Sequence, residues 1–306
     1  MVDRSTAERD FVEFLRDFVE LERDFVESPC SHAGYIGYPR STVWYTVHFH
    51  TVLSTPTTMT PPEQQQQRWF PLESNPTLMN EYIQKLGFAT HSYHFVDVFS
   101  TEDWALEMIP QPVAAVLMLY PLTEQQLKCE TEQETDTTLQ QQQQTDTKDV
   151  WFTKQRIGNA CGTIGLLHSL LNTPPSLLSS SLLPDSWLAQ FQADTSTSDP
   201  IQRAERLESD TAIAQLHDAA TSSTHNQTGR GQLEDTVVTH FVAFIAVNNV
   251  LYALDGRKNG PVAYGPTSSS RLLPDACRVI REQYMQRDPT ELRFTILALA
   301  PRVEDA

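Results

Sequence analysis

Four side chains in this sequence have the types and spacing needed for acyl transfer through a thiolate. Gln155 lies six residues before Cys161, and His240 lies fifteen residues before Asp255. The segment Lys154-Gln-Arg-Ile-Gly-Asn-Ala-Cys-Gly-Thr-Ile-Gly-Leu-Leu-His-Ser-Leu170 changes at the cysteine from polar and Gly-containing to apolar and helical. Asn159 is placed to cap that helix, and Pro174-Pro175 to end it. A cysteine in a first helical turn meets unpaired amide N–H groups and the positive end of the dipole, and both favour the nucleophilic thiolate. A lone cysteine on an apolar helix is more often inert packing, so the case rests on what accompanies it.

A base and its orienting acid come from a hairpin pattern. Thr239-His-Phe-Val-Ala-Phe-Ile-Ala-Val247 and Val250-Leu-Tyr-Ala-Leu-Asp255 read as strands joined by Asn248-Asn249, a dipeptide suited to a two-residue turn. Centring the hairpin there sets His240 opposite Arg257, with Asp255 as the diagonal neighbour on the same face. A carboxylate beside an imidazole fixes its tautomer and stabilises the imidazolium. The competing base His168 is seven residues beyond Cys161, about 10 Å along a helix, too far to reach the thiol. The other histidines lack metal-ligand spacing, so neither a metal nor a cofactor is expected. Gln155 carries an amide NH₂ that can serve a developing oxyanion beside the backbone N–H of Cys161, although residue chemistry alone supports that role weakly.

These residues need a mixed α/β frame. Asn75-Pro76 opens an apolar-periodic run (Met79, Tyr82, Ile83, Leu86) that stops at Gly87, a capped helix. Tyr93 to Phe99 alternates as a strand does, and Ala114 to Tyr120 is a continuous apolar run suited to a strand buried on both faces. A helical run is expected from Trp187 to about Leu216, then a long irregular loop from Asp218 to Asp235. Before Arg68 the character differs. Arg-Asp-Phe-Val-Glu occurs three times between residues 9 and 27 at a seven-residue period, which would stripe Phe11, Phe18 and Phe25 along one helix face, or be a bare tandem duplication. Residues 28 to 67 have linker composition. Another stretch holds Glu124, Glu130, Glu132, Glu134, Asp136, Asp146 and Asp149 against Lys128 and Lys148, together with the Gln140 to Gln144 run, and reads as a solvated loop.

The formal charge of −17 disfavours a nucleic-acid backbone. No apolar run reaches the ~18 residues of a membrane span. The four cysteines are far apart without a C-x-x-C pair, as expected for reduced thiols in a cytoplasmic protein, with the nucleus also open.

The same residues resemble a known family, the ubiquitin C-terminal hydrolases, particularly the small single-domain members. The resemblance is carried in order by Arg68-Trp-Phe-Pro-Leu-Glu-Ser-Asn-Pro76, Phe95-Val-Asp-Val-Phe99, Gln155 to His168, His240-Phe241, Leu251-Tyr-Ala-Leu-Asp-Gly-Arg-Lys258 and Arg287-Asp-Pro-Thr-Glu-Leu-Arg-Phe294. It implies a papain-like cysteine-protease fold: a central, mostly antiparallel sheet between helices, a knotted path, and a crossover loop at roughly 210 to 238. It also implies Cys161 as nucleophile, His240 as base, Asp255 as orienting acid and Gln155 as oxyanion donor, acting at the C-terminal glycine of ubiquitin. A monomer is expected, and a hydrolase acting on a ubiquitin-like modifier, or a free-ubiquitin-binding protein with slow turnover, stays open beside that reading. The expected organisation is an extension over 1–67, a catalytic domain over 68–301 and a tail over 302–306.

Overall fold

A computed structural model describes residues 67–135, 147–226, 232–233 and 237–303. Helix α1 (Pro76–Leu86) forms where the sequence supplies both ends. The Asn75 side chain accepts the N–H groups of Thr77 and Leu78 at 2.9 and 3.2 Å, Pro76 occupies the first turn, and Gly87 takes φ +108° to close the last. Its buried stripe is Leu78, Met79, Tyr82, Ile83 and Leu86.

Among the described residues, six strands then build one sheet. They are β1 (Tyr93–Asp97), β2 (Ala115–Pro121), β3 (Thr239–Val247), β4 (Val250–Leu254), β5 (Val262–Pro266) and β6 (Thr295–Pro301), in the order β1-β6-β2-β3-β4-β5. Every pairing is antiparallel. The apolar run of β2 lies near the middle of the sheet because both of its faces are covered. Leu117 faces a core layer with α1 and α4 (Cys161–Leu171), whereas Val116 and Met118 face a second layer with α9 (Leu272–Gln283). Helix α4 is buried along its whole length. Leu166, Leu167 and Leu170 are fully enclosed, each such side chain contributing about 1.5–3 kcal/mol by burial. Gly162 lets α4 approach this closely, since a Cβ there would meet the Leu72 Cβ at 2.8 Å.

Two expectations are corrected. The expected helix from Trp187 to Leu216 is three: α6 (Trp187–Thr195), α7 (Pro200–Glu208) and α8 (Thr211–Thr221). Asp199 and Asp210 each accept two N–H groups of the following turn, and Asp199 completes a capping box with Gln202. These caps restart the helix instead of continuing it. Helix α8 therefore takes residues 218–221 out of the expected loop and residues 211–221 out of the segment implied to cross the active site, and residues 227–231 and 234–236 lie outside the described residues. The acidic stretch is also not loop throughout. Residues 124–135 form helix α3 (Glu124–Thr135), which turns Gln126 and Glu130 inward, while residues 136–146 fall outside the described set.

The N-terminal extension up to residue 66, where the phenylalanine stripe or tandem duplication is expected, and the tail from residue 304 also lie outside the described residues. Helix α2 (Asp103–Leu106) and helix α5 (Pro175–Ser181) complete the frame.

Candidate active site

Cys161 is the first residue of α4, so the first-turn placement holds. The cap does not. Ala160 occupies the N-cap without a side-chain bond, and Asn159 is a left-handed turn residue at φ +61°. Asn tolerates that conformation better than most residues, so its role is to turn the chain into the helix. The segment that delivers Gln155 is tied to the loop after the orienting acid: the Gln155 N–H donates to the Gly256 carbonyl at 2.8 Å, and Lys154 Nζ donates to the Arg257 and Lys258 carbonyls at 2.9 and 2.6 Å.

The hairpin forms in the register that its turn requires. Asn248 and Asn249 have φ +51° and +60°, and Val247 pairs with Val250 out to Ala243 with Leu254. The ladder stops there, because the chain leaves the sheet after Leu254. Arg257 consequently does not oppose His240 across the ladder and lies behind Asp255 instead. His240 Nε2 meets Asp255 Oδ1 at 2.6 Å, both side chains being buried. With Nε2 committed to the carboxylate, Nδ1 is left for the thiol, and Cys161 hydrogen-bonds His240.

The electrostatics follow from this packing. Burial pushes the Cys161 thiol up, but the hydrogen bond and charge of His240 and the amides of Phe241 and Gly162 outweigh it, so the thiol titrates below its ordinary range. Burial alone would deprotonate His240; the Asp255 charge and hydrogen bond, with Cys161 on the other side, raise it to about 9. Desolvation of Asp255 is likewise overcome by His240 and Arg257, which hold its carboxyl well below the usual range. The site therefore favours a thiolate–imidazolium pair backed by a carboxylate.

Gln155 packs against Gly256, the residue that follows Asp255. Its Nε2 donates to the Ile157 carbonyl at 3.3 Å, while its Oε1 is buried without a partner. Of the other histidines, His168 is enclosed in the core, stacked on Phe152 at 5.0 Å and bonded to Thr153; desolvation lowers it to about 4. It does not join the site. His217 is buried on α8, with Nδ1 2.8 Å from Thr163 Oγ1 and Nε2 2.7 Å from the Phe70 carbonyl oxygen.

Sequence reasoning missed the groups behind Asp255. The Arg257 N–H donates to Asp255 Oδ1 at 2.8 Å, and its Nη2 lies 2.8 Å from Oδ2. That same Nη2 reaches Tyr120 Oη at 2.6 Å and Glu130 at 3.1–3.2 Å. The Arg257 signal was present two residues after the acid, but hairpin geometry had assigned Arg257 to a cross-strand position. Glu130 carried no signal, being one of many acids in a polar stretch.

Comparison with known proteins adds an independent line. The family described as "Ubiquitin carboxyl-terminal hydrolase, family 1" matches residues 69–286. The chain is similar to "Ubiquitin carboxyl-terminal hydrolase 3" of Arabidopsis thaliana, 39% identical over 77% of this chain and 95% of that protein. It is also similar to "Ubiquitin carboxyl-terminal hydrolase isozyme L1" of Homo sapiens, 38% identical over 75% of this chain and 96% of that one. In fold it resembles the Trichinella spiralis UCH37 catalytic domain crystallised with ubiquitin vinyl methyl ester, at TM-score 0.60 and 23% identity over 77% of this chain and 96% of that chain.

Proposed function

The chain belongs to the ubiquitin carboxyl-terminal hydrolase family, and from that premise we propose that it is a deubiquitinating thiol hydrolase that cleaves amide, ester or thioester bonds at the C-terminal glycine of ubiquitin. The observation that carries this reading is the Cys161–His240–Asp255 alignment, with Nε2 of the imidazole on the carboxylate at 2.6 Å and the thiol on its other side.

The Cys161 thiolate attacks the glycine carbonyl carbon, and the electrons of that C=O bond move onto its oxygen. The side-chain NH₂ of Gln155 and the backbone N–H of Cys161 donate to this oxyanion. Collapse expels the amine, alcohol or thiol, which takes its proton from the His240 imidazolium, and leaves a thioester on Cys161. Neutral His240 then takes a proton from water, whose oxygen displaces the thiolate and releases the ubiquitin carboxylate. Asp255 keeps the ring oriented through both proton transfers without itself being protonated. The protein is taken to act as a monomer in the cytoplasm, on ubiquitin in preference to a ubiquitin-like modifier; the names of the relatives support the substrate.

Turnover of a fluorogenic ubiquitin C-terminal derivative by the full chain tests the reading. Cys161→Ala should abolish hydrolysis and retain ubiquitin binding by calorimetry, while Cys129→Ser should hydrolyse normally. Hydrolysis by the Cys161→Ala protein at the wild-type rate would overturn it.

A further inference from the structure

Helix α3 is docked on the sheet by polar groups. Its inward residues, Gln126 and Glu130, are one helical turn apart and so share a face. Gln126 Nε2 donates to the Tyr284 carbonyl at 2.6 Å, and Glu130 Oε1 accepts the Tyr120 hydroxyl at 2.6 Å. Burial of a carboxylate is costly unless it is paired, and Glu130 is paired with the group that also serves Asp255. Arg257 Nη2 lies 2.8 Å from Asp255 Oδ2 and 3.1 Å from Glu130 Oε2, and the Lys258 ammonium is 3.7 Å from the same glutamate oxygen.

Charges thus alternate from His240 through Asp255 and Arg257 to Glu130. Tyr120 cross-braces them: it is the strand partner of His240 in the β2–β3 register, its ring lies edge-on to the imidazole at 6.2 Å, and its hydroxyl accepts from Arg257 while donating to Glu130. If Arg257 had only Asp255 as partner, its full positive field would oppose the imidazolium, and its Nη2 would lose the anchors that fix the carboxylate's orientation. We propose that Glu130 is a positioning residue for acyl transfer, acting through Arg257 and Tyr120 to hold the Asp255 carboxylate on His240, so that helix α3 belongs to the active-site assembly. This inference rests on the Cys161–His240–Asp255 reading above.

The test uses the full-length protein and a fluorogenic ubiquitin ester, with kcat and KM measured separately across pH 5 to 10. Glu130→Gln keeps the size and most hydrogen bonds of the side chain and removes its charge. The charged and titratable groups around the imidazole are Cys161 and His168 from α4, Asp255 and Arg257 following β4, Tyr120 from β2 and Glu130 from α3. Removing a negative charge from this set weakens the imidazolium, so the alkaline limb of kcat/KM moves to lower pH. At the alkaline end kcat should fall roughly 3- to 30-fold, the scale expected for one member of a buried charged network, with KM within about two-fold. Tyr120→Phe removes the cross-brace without removing charge and should lower kcat in the same sense by less; it carries the test if Glu130→Gln does not fold. An alkaline limb that superimposes on wild type, with loss of thermal stability only, would overturn the proposal. Cys161→Ala run in parallel separates the two ideas: an active Cys161→Ala protein removes the triad reading, whereas an inactive one beside an unshifted Glu130→Gln profile removes only the role of Glu130.

Discussion

Gly256 separates the orienting acid from Arg257, and it packs directly against the Gln155 segment and the nucleophile helix. A Cβ added there would lie 2.8 Å from the Gln155 Cβ, 2.9 Å from the Ile164 Cγ2 and 3.2 Å from the Gln155 nitrogen. None of these is the far end of a flexible side chain. Ile164 is one turn beyond Cys161 on α4, and the Gln155 N–H is already bonded to the Gly256 carbonyl at 2.8 Å. Gly256→Ala must therefore push the Gln155 segment and the loop apart by several tenths of an ångström. Overpacking of this kind costs about 1–3 kcal/mol, which lowers Tm by roughly 2–10 °C for a domain of this size. The catalytic loss should be larger than the stability loss suggests. Removing one oxyanion donor costs about 10²–10³ in kcat, and displacing it without deleting it should cost roughly 10- to 100-fold. Steady-state hydrolysis of a ubiquitin ester should show that fall in kcat with KM nearly unchanged. Gly260→Ala is the control, because no atom lies within 4 Å of its added Cβ. Wild-type kcat and Tm for Gly256→Ala would refute the argument that this close approach positions Gln155.

Further outcomes are expected from the same geometry. Because His240 and the Phe241 and Gly162 amides pull the Cys161 thiol below its ordinary range, its thiolate is present above that lowered value. Iodoacetamide should thus label Cys161 at a pH below the ~8.5 of a free cysteine; His240→Ala should move the labelling profile alkaline, and a wild-type midpoint at or above 8.5 would contradict the ion pair. Gln155→Ala should lower kcat by about 10²–10³ with affinity retained, measured on the same ester. The N-terminal boundary is narrow: Gly158 donates to the Gln67 carbonyl and Trp69 donates to the Gly158 carbonyl, both at 2.8 Å, and Phe70 holds His217. Deletion through residue 66 should keep ester hydrolysis near normal, whereas deletion through residue 70 should destroy it, as thermal melts and turnover would show.

The parts legible in the sequence were those written in local chemistry. Asn75, Pro76 and Gly87 marked both ends of α1 because a cap, a first-turn proline and a left-handed glycine each act within a few residues. Asn248-Asn249 determined the hairpin register out to Ala243 with Leu254, and Asp255 reaches His240 from just past the end of that ladder. Reading failed where one local signal had to be weighed against another. Apolar periodicity from Trp187 onward concealed the breaks at Asp199-Pro200 and Asp210, although those residues are themselves strong helix starts. Asn159 was read as a cap because Asn has two local uses, and its left-handed φ is visible only in three dimensions. Glu130 was illegible in principle: its partners Tyr120 and Arg257 are 10 and 127 residues away, and a polar helix that turns Gln126 and Glu130 inward looks like solvated chain. Burial of a charge is decided by its partner, and a partner so distant leaves no pattern in the sequence.

A ubiquitin whose C-terminus carries a vinyl methyl ester provides the most direct measurement, since its electrophilic carbon takes the place of the glycine carbonyl. The full-length protein incubated with this probe should gain the mass of one ubiquitin in intact-mass spectrometry, and peptide mapping should find the thioether on Cys161. Cys161→Ala should gain nothing. An adduct on Cys30, Cys129 or Cys277, or none on wild type under conditions where its thiols remain reduced, would contradict the assignment of Cys161, His240 and Asp255 as the machinery of this chain.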